Sequence, residues 1–163
     1  MEIWLVSFIG GIVGSVFMDM TEAQMSKLGI SSGVKGTYIG RWVKGVLGGV
    51  FHHQDIAQSQ PVKNEAGIGQ IFHFIVGGGV VALFYPVFIM SIGISTNHLM
   101  MSLIFGLLTS VLPWFILMPS FGWGFFGSKA PPGSRPVLSP ILSHIPYGFG
   151  IGITVIIFYE IMA

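Results

Sequence analysis

The sequence predicts an all-α integral membrane protein: a four-transmembrane-helix bundle with a cytoplasmic interfacial amphipathic helix between spans one and two. Three observations carry this expectation. Hydrophobic residues make up 52% of the 163 residues and charged residues only 8%, where an ordinary soluble domain carries roughly 25%. No Asp, Glu, Lys or Arg occurs between Glu65 and Lys129. Four segments reach the ~20 helical residues needed to cross a ~30 Å hydrocarbon core. A soluble chain of this size leaves too much surface in water to hide so many apolar side chains. The same composition excludes disorder, and a net charge of +1 with no basic run excludes a nucleic-acid partner. The absence of cysteine removes thiolate metal centres and disulfides.

The elements follow in chain order as one membrane domain, residues 1–163. Span one runs from Ile3 to Lys27. It is read as a retained helix and not a cleavable leader, because no basic segment precedes it and no Ala-x-Ala site follows. From Thr37 to Val50 the apolar residues Ile39, Trp42, Val43, Val46, Leu47 and Val50 recur at helical spacing, with Arg41 and Lys44 on another side. That pattern predicts a short helix lying in the headgroup region, Trp42 its anchor and the cations toward anionic lipid. Its internal glycines each cost about 1 kcal/mol of helix propensity, so packing must hold it. Span two runs from Ala66 to Ile92 and span three from Leu99 to Met118, joined by a tight hairpin from Gly93 to His98. The connection Pro119–Pro136 mixes Phe121, Trp123, Phe125 and Phe126 with glycines and reads as an interfacial aromatic loop. Span four runs from Ser139 to Met162.

Charge sidedness orients the bundle. Lys27, Lys35, Arg41, Lys44 and Lys63 belong to the first connection, and Lys129 and Arg135 to the third. The positive-inside rule makes these connections cytoplasmic and both termini periplasmic.

Ionisable residues within spans are costly and so carry functional hypotheses. On span one Ser7, Gly11, Ser15, Asp19, Glu22 and Ser26 form one stripe; small residues at this spacing are first of all a packing face. On span two Glu65, Gly69, His73 and Gly77 are four apart, and on span four His144 precedes Gly148 and Gly152. Asp19 lies ~12 Å from Lys27 along its helix, and His73 the same distance from Glu65, at ~1.5 Å per residue. His144 is slightly closer to its own helix end. Three potential ligands from three helices therefore share one depth. An interhelical clamp is the structural reading of each histidine.

The succession Met18-Asp19, Gly40-Arg41-Trp42, Phe51-x-His53, Ile56, Pro61, Glu65, His73, Pro119-x-x-Gly122, Pro132, Arg135, His144, Gly148-x-Gly150 resembles a family of small bacterial inner-membrane proteins of unknown function. The resemblance covers nearly the whole chain. It implies a fold and a bacterial inner-membrane location, and no activity. It selects Asp19, Arg41, His53, Glu65, His73, Arg135 and His144, but not His52, Asp55 or His98. Gly49-Val50 before Phe51 departs from it, since a basic residue is expected there.

Two functions compete at this stage. The first is binding or conduction of a cation, a divalent metal ion or a proton, with Asp19, Glu65, His73 and His144 as ligands. Arg41, Arg135 and His53 would then gate the site or bind substrate or lipid. The second is a membrane-embedded enzyme acting on a lipid or quinone-like substrate, with a histidine as general base. An accessory subunit of a larger membrane complex, or a homo-oligomer, is a further possibility, and a b-type haem between His73 and His144 is a special case of cofactor binding. The first loop is expected to fold back as a lid and bring Arg41 or His53 near Glu65.

Overall fold

The computed structural model describes residues 2–93 and 97–162. Its described residues are helical with no strand. The helices are α1 (Glu2–Lys27), α2 (Gly36–Leu47), α3 (Glu65–Ile92), α4 (His98–Ser120) and α5 (Leu138–Met162). All but α2 are long and apolar enough to cross a membrane, and each matches an expected span to within a residue or two at either end. The expected hairpin from Gly93 to His98 lies partly outside the described residues, which omit 94–96.

α1 packs most extensively on α5, and α5 in turn on α4. The α1–α5 contact is close because Gly14 faces Gly150: a Cβ on Gly150 would run into the Gly14 backbone. α3 lies against α1 through a π-helical stretch, Phe72–Val80. There the Tyr147 hydroxyl donates to the Gly78 carbonyl at 2.7 Å. A second π-helical stretch, Pro113–Leu117, interrupts α4. Pro113 supplies its cause, since a proline cannot donate to the preceding turn.

The main core joins Val6 and Met18 of α1, Ala82, Tyr85 and Ile89 of α3, Phe105 of α4 and Tyr147, Ile151 and Val155 of α5. α3 and α4 are held together near their hairpin, where Tyr85 and Phe88 each meet Phe105 at 5.7 Å between ring centroids. Toward the other end, their π-helical halves have no comparable packing on each other.

A second core lies at that other end. Trp42, Ile56, Met118, Phe121 and Trp123 are all buried together. The two long connections are tied there by backbone bonds from His53 N–H to Ser120 O (2.8 Å), Ile56 N–H to Phe121 O (2.9 Å) and Arg135 N–H to Ser31 O (2.6 Å). One end of the bundle therefore gathers all seven Lys and Arg residues.

Three expectations are corrected. The helix expected over 37–50 ends at Leu47, because Gly48 caps it and Gly49 turns with φ +86°. Trp42 and Arg41 do not face headgroups: they are only 8% and 7% exposed, turned onto α3 and the loop beyond. Of the aromatic loop, Phe121 and Trp123 are buried, and only Phe125 and Phe126 are exposed. At Trp42, Phe121 and Trp123, apolar surface that the sequence assigned to lipid is covered by protein.

Candidate functional site

Two polar assemblies occupy the loop-bearing end. The outer one is built on Arg41. Its Nε and Nη2 donate to the two oxygens of Glu65 at 3.0 and 2.9 Å. Nη1 donates to the carbonyls of Ile56 (2.8 Å) and Ser59 (2.6 Å). The Glu65 carboxylate also accepts from Val62 N–H at 2.9 Å. A planar guanidinium suits this because its donors form a fixed fork matched to a carboxylate. The pair is enclosed, with side chains 7% and 14% exposed, and the Glu65 hydrogen bonds hold the Arg41 pKa above its ordinary value against the opposing effect of burial. Gly40 and Gly69 make the approach possible, since a Cβ on Gly40 would collide with the Glu65 carbonyl and one on Gly69 with the Gly36 carbonyl. Glycines that weaken α2 in isolation are thus what dock it. Arg41 lies near Glu65, as the folded-back loop requires.

The inner assembly lines a cavity of about 380 Å³. α1 and α5 form its back wall, the separated halves of α3 and α4 its sides, and Gly36, Ile39 and Trp42 of α2 its floor. On the back wall His73 Nε2 donates to Asp19 Oδ1 at 2.9 Å. With the carboxyl ionised, the proton on this bond belongs to the imidazole. The side chains are 23% and 41% exposed, so the pair is open to the cavity and not sealed between helices. On α5 His144 Nδ1 donates to the Pro140 carbonyl at 2.8 Å. That bond fixes the tautomer and leaves Nε2 as an acceptor. Glu22, one turn along α1 from Asp19, also lines the cavity.

Asp19, His73 and His144 therefore meet at one cavity, while Glu65 stands outside it, both oxygens taken by Arg41. Among the described residues no three His, Asp or Glu side chains come together as ligands of one metal ion, so the geometry lends the divalent-metal expectation no support. His73 Nε2 is occupied by Asp19, which leaves only Nδ1 for any haem iron. Arg41 does not line the cavity and Arg135 is exposed in the third connection. His53 sits in the loop beneath α2, its Nδ1 at 3.4 Å from the Ser59 hydroxyl and its Nε2 buried without a partner among the described residues. Burial first, then the charges of His52 and Arg41, lower its pKa.

Sequence reasoning passed over two residues. Glu22 belongs to the stripe that contains Asp19, and spacing alone could have selected it. Asp55 fastens the two connections: Oδ1 accepts from Ala57 N–H (3.0 Å) and Trp123 Nε1 (3.1 Å), and Oδ2 from Gln58 Nε2 (2.9 Å). Burial would raise its pKa, but these hydrogen bonds outweigh it and hold the carboxyl below the usual range. His98, at the end of the hairpin, stacks on Tyr159 at 5.6 Å and meets the Tyr85 hydroxyl at 3.2 Å. Asn97 does the capping, accepting from Met100 N–H.

No curated protein and no solved structure matches the chain. A family model, described as a protein of unknown function (DUF2938), matches residues 8–158. With nearly the whole chain matched, the protein belongs to the DUF2938 family.

Proposed function

We propose that this is an inner-membrane protein that binds a small amphiphilic molecule between its helices, the Asp19–His73 pair engaging the polar end. One observation carries the reading: a carboxylate–imidazole pair, hydrogen-bonded at 2.9 Å, exposed to a cavity of about 380 Å³ walled mostly by apolar side chains. Ligand sites are of this kind, mostly apolar concavities of ~300–1,000 Å³ with a few convergent polar groups. The pair can hold a hydroxyl or amine in orientation and exchange a proton with it, because the imidazole already carries a proton at a defined nitrogen. The helical lengths and the gathering of every Lys and Arg at one end support an inner-membrane placement with that end cytoplasmic. The cavity then opens in the cytoplasmic half of the bilayer, with α2 as its floor.

Proton conduction is the second reading, and it uses the same residues. Glu22 stands one turn from Asp19 toward the loop-bearing end, so titratable groups follow one another along α1. Proton flux in proteoliposomes that is abolished by Asp19→Asn would favour it.

The test of the first reading is photolabelling with a decyl diazirine in nanodiscs. Label is expected on the cavity walls, at Val76 and Ile116, and should fall in Gly77→Leu. Gly77 lines the cavity, and a Cβ there meets nothing closer than 3.9 Å, so the substitution fills the cavity without disturbing the helix. Label spread evenly over exposed positions such as Ile9 and Leu108 would refute the reading.

A further inference from the structure

We infer that the occupant of this cavity carries a protonated amine at its polar end and enters sideways, between α3 and α4. The inference rests on the amphiphile-binding reading above and goes further by naming the head group and the route.

The polar atoms that face the cavity are mainly acceptors. Asp19 and Glu22 bring carboxylates, and His144 brings Nε2 because its Nδ1–H is given to Pro140. His144 is half-buried and lines the cavity. That nitrogen has no partner among the described residues. The Ser15 hydroxyl donates to the Gly11 carbonyl at 3.1 Å, so it too has only lone pairs to offer. Donors are few. Trp42 spends its N–H on the Phe51 carbonyl at 2.9 Å and presents only π surface. No Lys or Arg lines the cavity, and the Arg41 guanidinium is bound to Glu65, Ile56 and Ser59.

An anionic head group would face the Asp19 and Glu22 carboxyl oxygens and the His144 lone pair with no Lys or Arg lining the cavity to receive it. A phosphate-headed lipid is thereby disfavoured. An ammonium group supplies three donors and a positive charge to acceptors of opposite sign, and aromatic faces such as Trp42 and Phe72 add cation–π attraction. Charge and hydrogen-bond polarity select the same ligand.

The route follows from the divergence of α3 and α4. They are fastened near their hairpin by Tyr85, Phe88 and Phe105. At the level of the cavity Val76 and Gly77 on one helix and Pro113 and Ile116 on the other line opposite walls with no extended packing between them. The other sides are closed by α1 with α5 and by the docked α2. An alkyl tail can therefore lie between the helices, in contact with lipid, while its head reaches Asp19.

The experiment is saturable binding of radiolabelled decylammonium to the protein in phosphatidylcholine nanodiscs, with decanol and decyl phosphate as competitors. Decylammonium is expected to bind at least about tenfold more tightly than decanol, because a charge-assisted bond is roughly twice as strong as a neutral one. Decyl phosphate is expected not to compete. Asp19→Asn and, at the cavity edge, Glu22→Gln should each weaken binding by about tenfold, the loss of one ionic partner. Gly77→Leu should abolish it, and Gly67→Leu, which adds a side chain in open space away from the cavity, should leave it unchanged. Equal binding of decanol and decylammonium, both lost in Gly77→Leu, would overturn the amine assignment and leave the cavity reading standing. Tighter binding of decyl phosphate would overturn the assignment as well. Saturable binding of none of the three would overturn both.

Discussion

Replacing Arg41 by methionine should destabilise the protein by about 3–5 kcal/mol, the usual cost of removing one partner from an enclosed ion pair. Methionine keeps the apolar stem and comparable bulk, so the loss is that of the guanidinium. Four of its hydrogen bonds disappear, to Glu65, Ile56 and Ser59, all between 2.6 and 3.0 Å. Glu65, only 14% exposed, keeps just the Val62 N–H as partner. The Ser59 carbonyl is left without a donor, the Ile56 carbonyl keeps only the 3.3 Å bond from Ser59 N–H, and α2 loses its tie to the segment that leads into α3. Glu65→Gln should cost a similar amount. The double variant should cost less than the sum, with a coupling of roughly 1.5–3 kcal/mol, because neither charge is then stranded. Lys44→Met, three positions along the same helix but exposed, should change stability by less than about 0.5 kcal/mol. The assay is reversible unfolding in mixed micelles, followed by circular dichroism. Equal tolerance of Arg41→Met and Lys44→Met would refute the reasoning and return Arg41 to solvent.

Other consequences can be checked separately. Stability should fall as the pH drops below 6.5, the ordinary value from which His53 is lowered: the unfolded chain takes up a proton there that the folded chain refuses. His53→Gln should flatten that slope, and the further loss from Asp55 should set in only at lower pH, below 3.8. Gly40→Ala should unseat α2, since its methyl would strike the Glu65 carbonyl; a loss of at least about 1–3 kcal/mol is expected, read in the same unfolding assay. A cysteine at Ser128, which is exposed, should react with a membrane-impermeant thiol reagent from the cytoplasmic side only, and one at Thr96, outside the described residues, from the opposite side only. Labelling of both from one side would contradict the four-span topology.

Helix positions were legible in the sequence because span length and the absence of charge are set by composition alone. Asp19, His73 and His144 line one cavity, as their equal depths suggested, but among the described residues they do not come together as ligands of one metal ion. What could not be read was which neighbour each polar group would choose. Glu65 lies four residues from Gly69 and eight from His73, on the same face, yet helix α2 claims it before any shared site can. Periodicity gave α2 an apolar face but could not say whether lipid or protein covers it. The answer lies in the glycine contact between Gly40 and Gly69, a matter of tertiary fit. The aromatic loop misled for the same reason: Phe121 and Trp123 differ from Phe125 and Phe126 only in having Ile56 and Asp55 beneath them. The cavity itself depends on two π-helical stretches, and of these only Pro113 left a mark in the sequence.

The central claim is that the Asp19–His73 cavity holds an amphiphile, and native mass spectrometry of the protein released from nanodiscs tests it most directly. After incubation with decylammonium, each chain should carry one tightly held adduct, lost in Gly77→Leu and in His73→Ala and kept in Gly67→Leu. Equal retention by all these variants, or no adduct on the unmodified protein, would contradict the claim.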